Sequence, residues 1–160
     1  MKASRGFRTL QAAALAAVVP ALALAAAPAA APSPQAAIAA RQAGFKKMGA
    51  AMKALNDQLK SGAPAKDVME NAARTVALTA REQAKLFPAG SGASAGVKTD
   101  ALPNIWTDRA TFDALMGRLA TESGKLQAVA GGGDAAAIGA QAKATGAACG
   151  ACHRQFRADS

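Results

Sequence analysis

The chain has no tyrosine, one tryptophan, one histidine and two cysteines, and aromatic residues fill only 4% of its 160 positions. Each scarcity narrows the options. A structural zinc shell needs four ligands, and the cysteines and the histidine together supply three. Peroxide or oxygen activation needs a positioned acid or base, and one histidine cannot serve both as a metal ligand and as that group. With large side chains rare and alanine everywhere, a bundle of such helices would pack poorly or leave a gap, which a large flat apolar ligand would fill. Basic residues outnumber acidic ones by 19 to 10, but they are dispersed rather than clustered, which speaks against a nucleic-acid-binding surface.

The three rare residues stand together near the C-terminus, as Cys149-Gly150-Ala151-Cys152-His153. Two thiols three apart followed at once by an imidazole read as a c-type haem attachment site. On a helix these positions share one face, so both sulfurs reach one macrocycle while His153 turns toward its iron. A thioredoxin-like pair, a structural disulfide and part of a zinc site are the alternatives. The first would follow a strand in an α/β pattern, and none is visible.

At the other end Lys2, Arg5 and Arg8 precede an alanine- and leucine-rich run, the mark of a secretory signal over 1–27, with cleavage between 25 and 31. The run is broken by Pro20 and is too weak for a good membrane span. Export to the periplasm suits the haem motif. The signal holds 3 of the 19 basic residues and no acid, so the mature chain keeps 16 against 10, a net +6. Two haem propionates lower this to about +4.

Residues 32–160 read as one all-α domain, an antiparallel four-helix bundle with covalently bound haem. Helix A, about 34–61, begins at Ser33-Pro34 and closes at Gly62 and Pro64, with Ile38, Arg41, Phe45, Met48, Met52, Leu55 and Leu59 on one stripe. Arg41 is the only polar member. An inward guanidinium must meet an anion or stay solvated at the bundle end, and haem propionates would supply the anion. Helix B, about 65–87, ends at Phe87-Pro88. A glycine- and serine-rich loop then runs to Trp106, long enough to suggest that it covers the edge of a cofactor.

Helix C, about 108–130, carries Phe112, Leu115, Met116, Leu119, Ser123, Leu126 and Ala130, and Gly131-Gly132-Gly133 stops it. Helix D, about 134–157, is capped by Asp134 and steps through Ile138, Ala142, Thr145, Cys149, Cys152 and Phe156. Gly139, Gly146 and Gly150 each weaken it by ~1 kcal/mol relative to Ala. Tight helix packing or close approach of a macrocycle would offset that.

Arg41-Gln42-Ala43-Gly44-Phe45 with Met48-Gly49, the Phe87-Pro88 helix end, Leu102-Pro103-Asn104-Ile105-Trp106 and the C-terminal motif with Phe156-Arg157 together resemble the cytochrome c′ family, across nearly the whole mature chain. The resemblance implies an exported haem c bundle, a homodimer through helices A and B, and His153 as the only protein ligand to iron. The family divides at the residue four after the arginine. In its low-spin electron-carrying branch that residue is a ligating methionine, whereas here it is Phe45, which implies a five-coordinate, high-spin haem under an apolar ring.

The competing expectation is a low-spin electron-transfer protein in which Met48 or Met52 supplies the sulfur. By the same resemblance, Arg157 lies near the imidazole, although a solvated helix-end arginine is the plainer reading. Gln42 sits at the haem edge, and Thr99 and Asp100 cover the propionate side. The implied role is binding of nitric oxide or carbon monoxide, with electron transfer to partner proteins, rather than enzymatic turnover.

Overall fold

The computed structural model describes residues 32–158. The expected signal segment and its cleavage region lie outside the described residues. Five α-helices occur in order: α1 (Pro34–Lys60), α2 (Lys66–Gln83), the single-turn α3 (Asn104–Thr107), α4 (Arg109–Gly132) and α5 (Ala135–Phe156). The four long ones form an antiparallel bundle in which α1 neighbours α2, α2 neighbours α4, α4 neighbours α5, and α5 returns to α1. No described helix is long and apolar enough to cross a membrane.

Local chemistry sets the helix ends. The Ser33 hydroxyl accepts from Ala36 N, and Pro34 takes the first turn, where its missing N–H would have had no partner. Asp134 accepts from Ala136 N and Ala137 N at the start of α5, and Asp108 accepts from Thr111 N at the start of α4. Helix α4 runs two residues beyond the expected Ala130, because within the glycine run only Gly133, at φ 78°, takes the left-handed conformation that ends it. Helix α5 stops at Phe156, one residue short of expectation, and Arg157 is extended.

The largest correction concerns helix B, expected to continue to 87. It ends at Gln83, and Ala84 to Phe87 form a turn. Pro88 disfavours the helical conformation in the residue before it and clashes with the carbonyl four back, so the chain leaves the helix early. The turn brings Phe87, 5% exposed, into the core.

The connection after Phe87 is also more ordered than expected. It contains a 3₁₀ turn at Ala93–Ala95 and the whole of α3. Trp106 Nε1 donates to Pro88 O at 3.0 Å, and Asn104 Nδ2 donates to Gln155 O at 2.8 Å. Ala101 pairs with Arg157 in an isolated antiparallel bridge, flanked by Leu102 N to Phe156 O and Ala158 N to Asp100 O. The loop is strapped to the residues that come after the haem motif.

Packing divides along the bundle axis. In one half Leu55, Met69, Leu126 and Ile138 interlock with Ala72, Ala73, Ala130 and Ala142. In the other Phe87, Ile105, Phe112, Met116, Cys152 and Phe156 form an aromatic cluster. Beside Phe45, a Cβ on Gly44 of α1 would fall 1.7 Å from Gln83 Nε2 on α2, so any larger residue there would have to displace the Gln83 amide. Gln83 is itself 2% exposed, and its Oε1 has no partner.

Candidate functional site

A cavity of about 670 Å³ opens in the aromatic half. Its walls are built from the stripes already described. Helix α1 contributes Arg41, Gln42, Phe45, Lys46, Met48, Gly49 and Met52; α4 contributes Phe112, Met116 and Leu119; α5 contributes Gly146, Cys149, Cys152, His153 and Phe156. Phe87, Thr99, Asp100, Ala101, Ile105 and Arg157 close the end. All nine residues singled out in the sequence, Arg41, Gln42, Phe45, Thr99, Asp100, Cys149, Cys152, His153 and Arg157, face this one space.

Both thiols are free, Cys152 buried and Cys149 half-buried. Burial pushes the Cys149 thiol up, and burial together with the neighbouring Cys149 pushes Cys152 up to about 11. A thioredoxin-type pair needs the opposite, a thiol lowered toward the thiolate. No cluster of three or more His, Cys, Asp or Glu side chains that could hold a metal ion exists among the described residues. His153 is held below its ordinary value, first by desolvation and then by the Arg157 charge, so its imidazole is neutral, the form that ligates iron.

Arg41 is the site's electrostatic anomaly. It is 2% exposed, and only neutral oxygens receive its N–H groups: Thr99 Oγ1 at 2.8 Å, Ser91 Oγ at 3.0 Å and Leu86 O at 3.5 Å. Its guanidinium lies over the Phe87 ring, 4.7 Å from the centroid. Desolvation lowers its pKa, and no carboxylate offsets that. A buried charge on a cavity wall without a counter-charge fits a ligand that brings its own anion. Two thiols and a neutral imidazole on one α5 face, apolar walls and an unmatched guanidinium together suit a haem with its propionates.

The other polar residues hold the loop. Gln42 Nε2 donates to Lys98 O at 2.8 Å. Arg157, expected one helical turn beyond His153, lies past the helix end, where its Nη2 approaches Asp100 Oδ2 at 3.5 Å with both side chains half exposed. Such a pair is worth little in energy, but it orients the strap.

Several site residues are not legible as such in the sequence. Ser91, fully buried beneath Arg41, sits in a glycine-rich stretch without periodicity. Phe112 and Phe156 read only as core and Phe87 only as a helix end, yet with Phe45 they form a chain of ring contacts at centroid distances of 6.4, 4.7 and 5.4 Å along the cavity wall.

An antiparallel four-helix bundle with Cys-x-x-Cys-His on its last helix, facing an apolar end cavity, defines a c-type haem protein of the bundle class. The cytochrome c′ family model matches residues 36–157. A cytochrome c′ from Rhodopseudomonas palustris is 35% identical over 122 residues, 76% of this chain and 81% of that protein. The crystal structure of cytochrome c′ from Thermochromatium tepidum superposes with a TM-score of 0.77 at 32% identity, covering 81% of this chain and all of that one. The nitric oxide complex of a mutant cytochrome c prime from Alcaligenes xylosoxidans superposes at 0.72 and 25% identity, covering 79% and 97%. The chain belongs to the cytochrome c′ family, whose cofactor is covalently attached haem c.

Proposed function

We propose that this protein works in the periplasm as a high-spin, five-coordinate haem protein that binds small neutral diatomic gases, nitric oxide and carbon monoxide. The carrying observation is Phe45. It lines the cavity on α1 between Arg41 and Met48, and a phenyl ring has no lone pair to give to iron. Haem c, when bound, would supply the iron that takes a diatomic gas. Cys149 and Cys152 would hold it, His153 would ligate its iron from α5, and Arg41 would neutralise a propionate. The nitric oxide complex of the Alcaligenes relative supports the choice of ligand.

The ring of Phe45 itself has no proton to give to a bound peroxide, which favours binding over turnover. Pairing of two copies through α1 and α2 belongs to the same reading. It is supported by Val68 and Leu78 on α2, which stand 37% and 52% exposed. The runner-up reading is a low-spin electron carrier, favoured by the thioethers of Met48 and Met52 on the same wall.

The visible spectrum of the reduced holoprotein, with and without carbon monoxide, separates the two. A broad, unsplit band that changes on adding carbon monoxide is expected. A sharp split band indifferent to the gas would overturn the gas-binding reading and assign a methionine to the iron.

A further inference from the structure

The rim of the cavity is built from two facing helical rows. Gln42, Lys46 and Gly49 are exposed along one edge of α1, spaced by four and three. Gly146, Cys149 and His153 line the facing edge of α5 at three and four. At the closed end of the bundle these helices touch, for a Cβ on Gly139 would lie 3.9 Å from Leu59 Cδ1. Toward the cavity they part. A Cβ on Gly49 or on Gly146 would meet no atom within 4 Å.

Both glycines lie inside long helices, where alanine is the better helix former, so neither backbone geometry nor packing calls for them. Neither has a left-handed φ. Their shared feature is the opening they flank. At its polar end the rim carries Gln42, Lys46 and His153, whereas its other end carries the two glycines, with open space where their Cβ atoms would be.

We infer that the cleft between α1 and α5 is the port by which a small neutral ligand reaches the cavity, and that Gly49 and Gly146 set its width. This rests on the gas-binding reading. The absence of side chains at these two positions admits a diatomic, while larger molecules meet the neighbouring helix backbones. A port acts on passage in both directions, so narrowing it slows association and dissociation by one factor and leaves affinity unchanged. That signature separates it from any change at the iron.

The test is flash photolysis of the ferrous carbon monoxide complex of the holoprotein and of Gly49→Leu, Gly146→Leu and the double variant. Leucine is a good helix former with open space at each position, so folding is retained. The double variant is expected to slow both rates by about tenfold, with an unaltered spectrum before gas is added. Unchanged rates would overturn the port. So would a displaced spectrum, which would mean that the glycines make room for the macrocycle instead.

Quenching of the triplet state of the zinc-substituted holoprotein by dioxygen repeats the measurement without iron ligation. If the iron protein ignores carbon monoxide while leucine still slows quenching, the gas-binding reading fails and the port stands. If quenching is equally fast in all variants, the port fails whatever the iron does.

Discussion

The two halves of the bundle are made from the same four helices and behave differently. Around Leu126 and Ile138, alanines at positions 72, 73, 130 and 142 let the helices pack into one buried cluster. Around Phe112 and Phe156 the helices carry rings and thioethers, and a cavity of about 670 Å³ remains between them. This reverses the reason given by composition. Alanine richness suggests loose packing, but of the residues lining the cavity only Ala101 is an alanine. Small side chains draw helix backbones together, whereas large rigid ones hold them apart and bridge only part of the gap. Four of the scarce aromatics, Phe45, Phe87, Phe112 and Phe156, are concentrated on the cavity wall.

The contrast predicts that damage in the closed half is felt as stability alone. Leu126 is fully buried, packed with Leu55, Met69, Ile138 and four alanines. Leu126→Ala is expected to destabilise the holoprotein by about 2–5 kcal/mol, the usual span for a buried leucine. Its visible spectrum and carbon monoxide association rate are expected to match those of the unaltered protein. Denaturant unfolding and stopped flow read the two quantities, and a shifted spectrum would show that the halves are mechanically coupled.

In the open half the two readouts separate. Phe45 is only half-buried, so Phe45→Ala removes less apolar contact than a core phenylalanine and is expected to fall below the about 3–5 kcal/mol typical of that change. Carbon monoxide association is expected to quicken, because a ring over an open coordination site must move before a ligand binds. Lower stability with an unchanged rate would make Phe45 part of the wall and nothing more.

How much of this is legible in the sequence depends on which signals are local. Ser33-Pro34, Asp108, Asp134 and the apolar stripes are short-range, and they mark α1, α4 and α5. The end of α2 at Gln83 escapes the pattern because Pro88, five residues further on, decides where the helix can no longer continue. The order in the loop is invisible for another reason: α3 is a single turn, stabilised by Asn104 to Gln155 and Trp106 to Pro88, contacts that exist only once the bundle has formed. Gly44 gives no hint of Gln83, because close approach of two helices depends on both. The site's chemistry is readable in Cys149, Cys152 and His153 because all of it lies within five consecutive residues. Arg41 stands out as a lone charge on an apolar stripe, but its partners Ser91, Thr99 and Leu86 O come from a loop with no pattern of its own.

Arg41 therefore offers the finest division between structure and chemistry. It lies in the open half, yet it fastens the loop as well as facing the cavity. Arg41→Leu leaves Ser91 Oγ, Thr99 Oγ1 and Leu86 O each without one donor and, under the proposed function, a propionate as well, so a loss of about 1–3 kcal/mol is expected. That loss alone does not distinguish a staple from a counter-ion. The reduction potential does. Removing a positive charge beside the haem favours the ferric state, which is the more positive one, so the potential is expected to fall, and Arg41→Lys, which keeps the charge while losing the three-oxygen geometry, is expected to recover most of it. Potentiometric titration of the three proteins decides the matter. If all three share one potential while the leucine variant is less stable, Arg41 holds the loop and the anion it waits for is not a propionate.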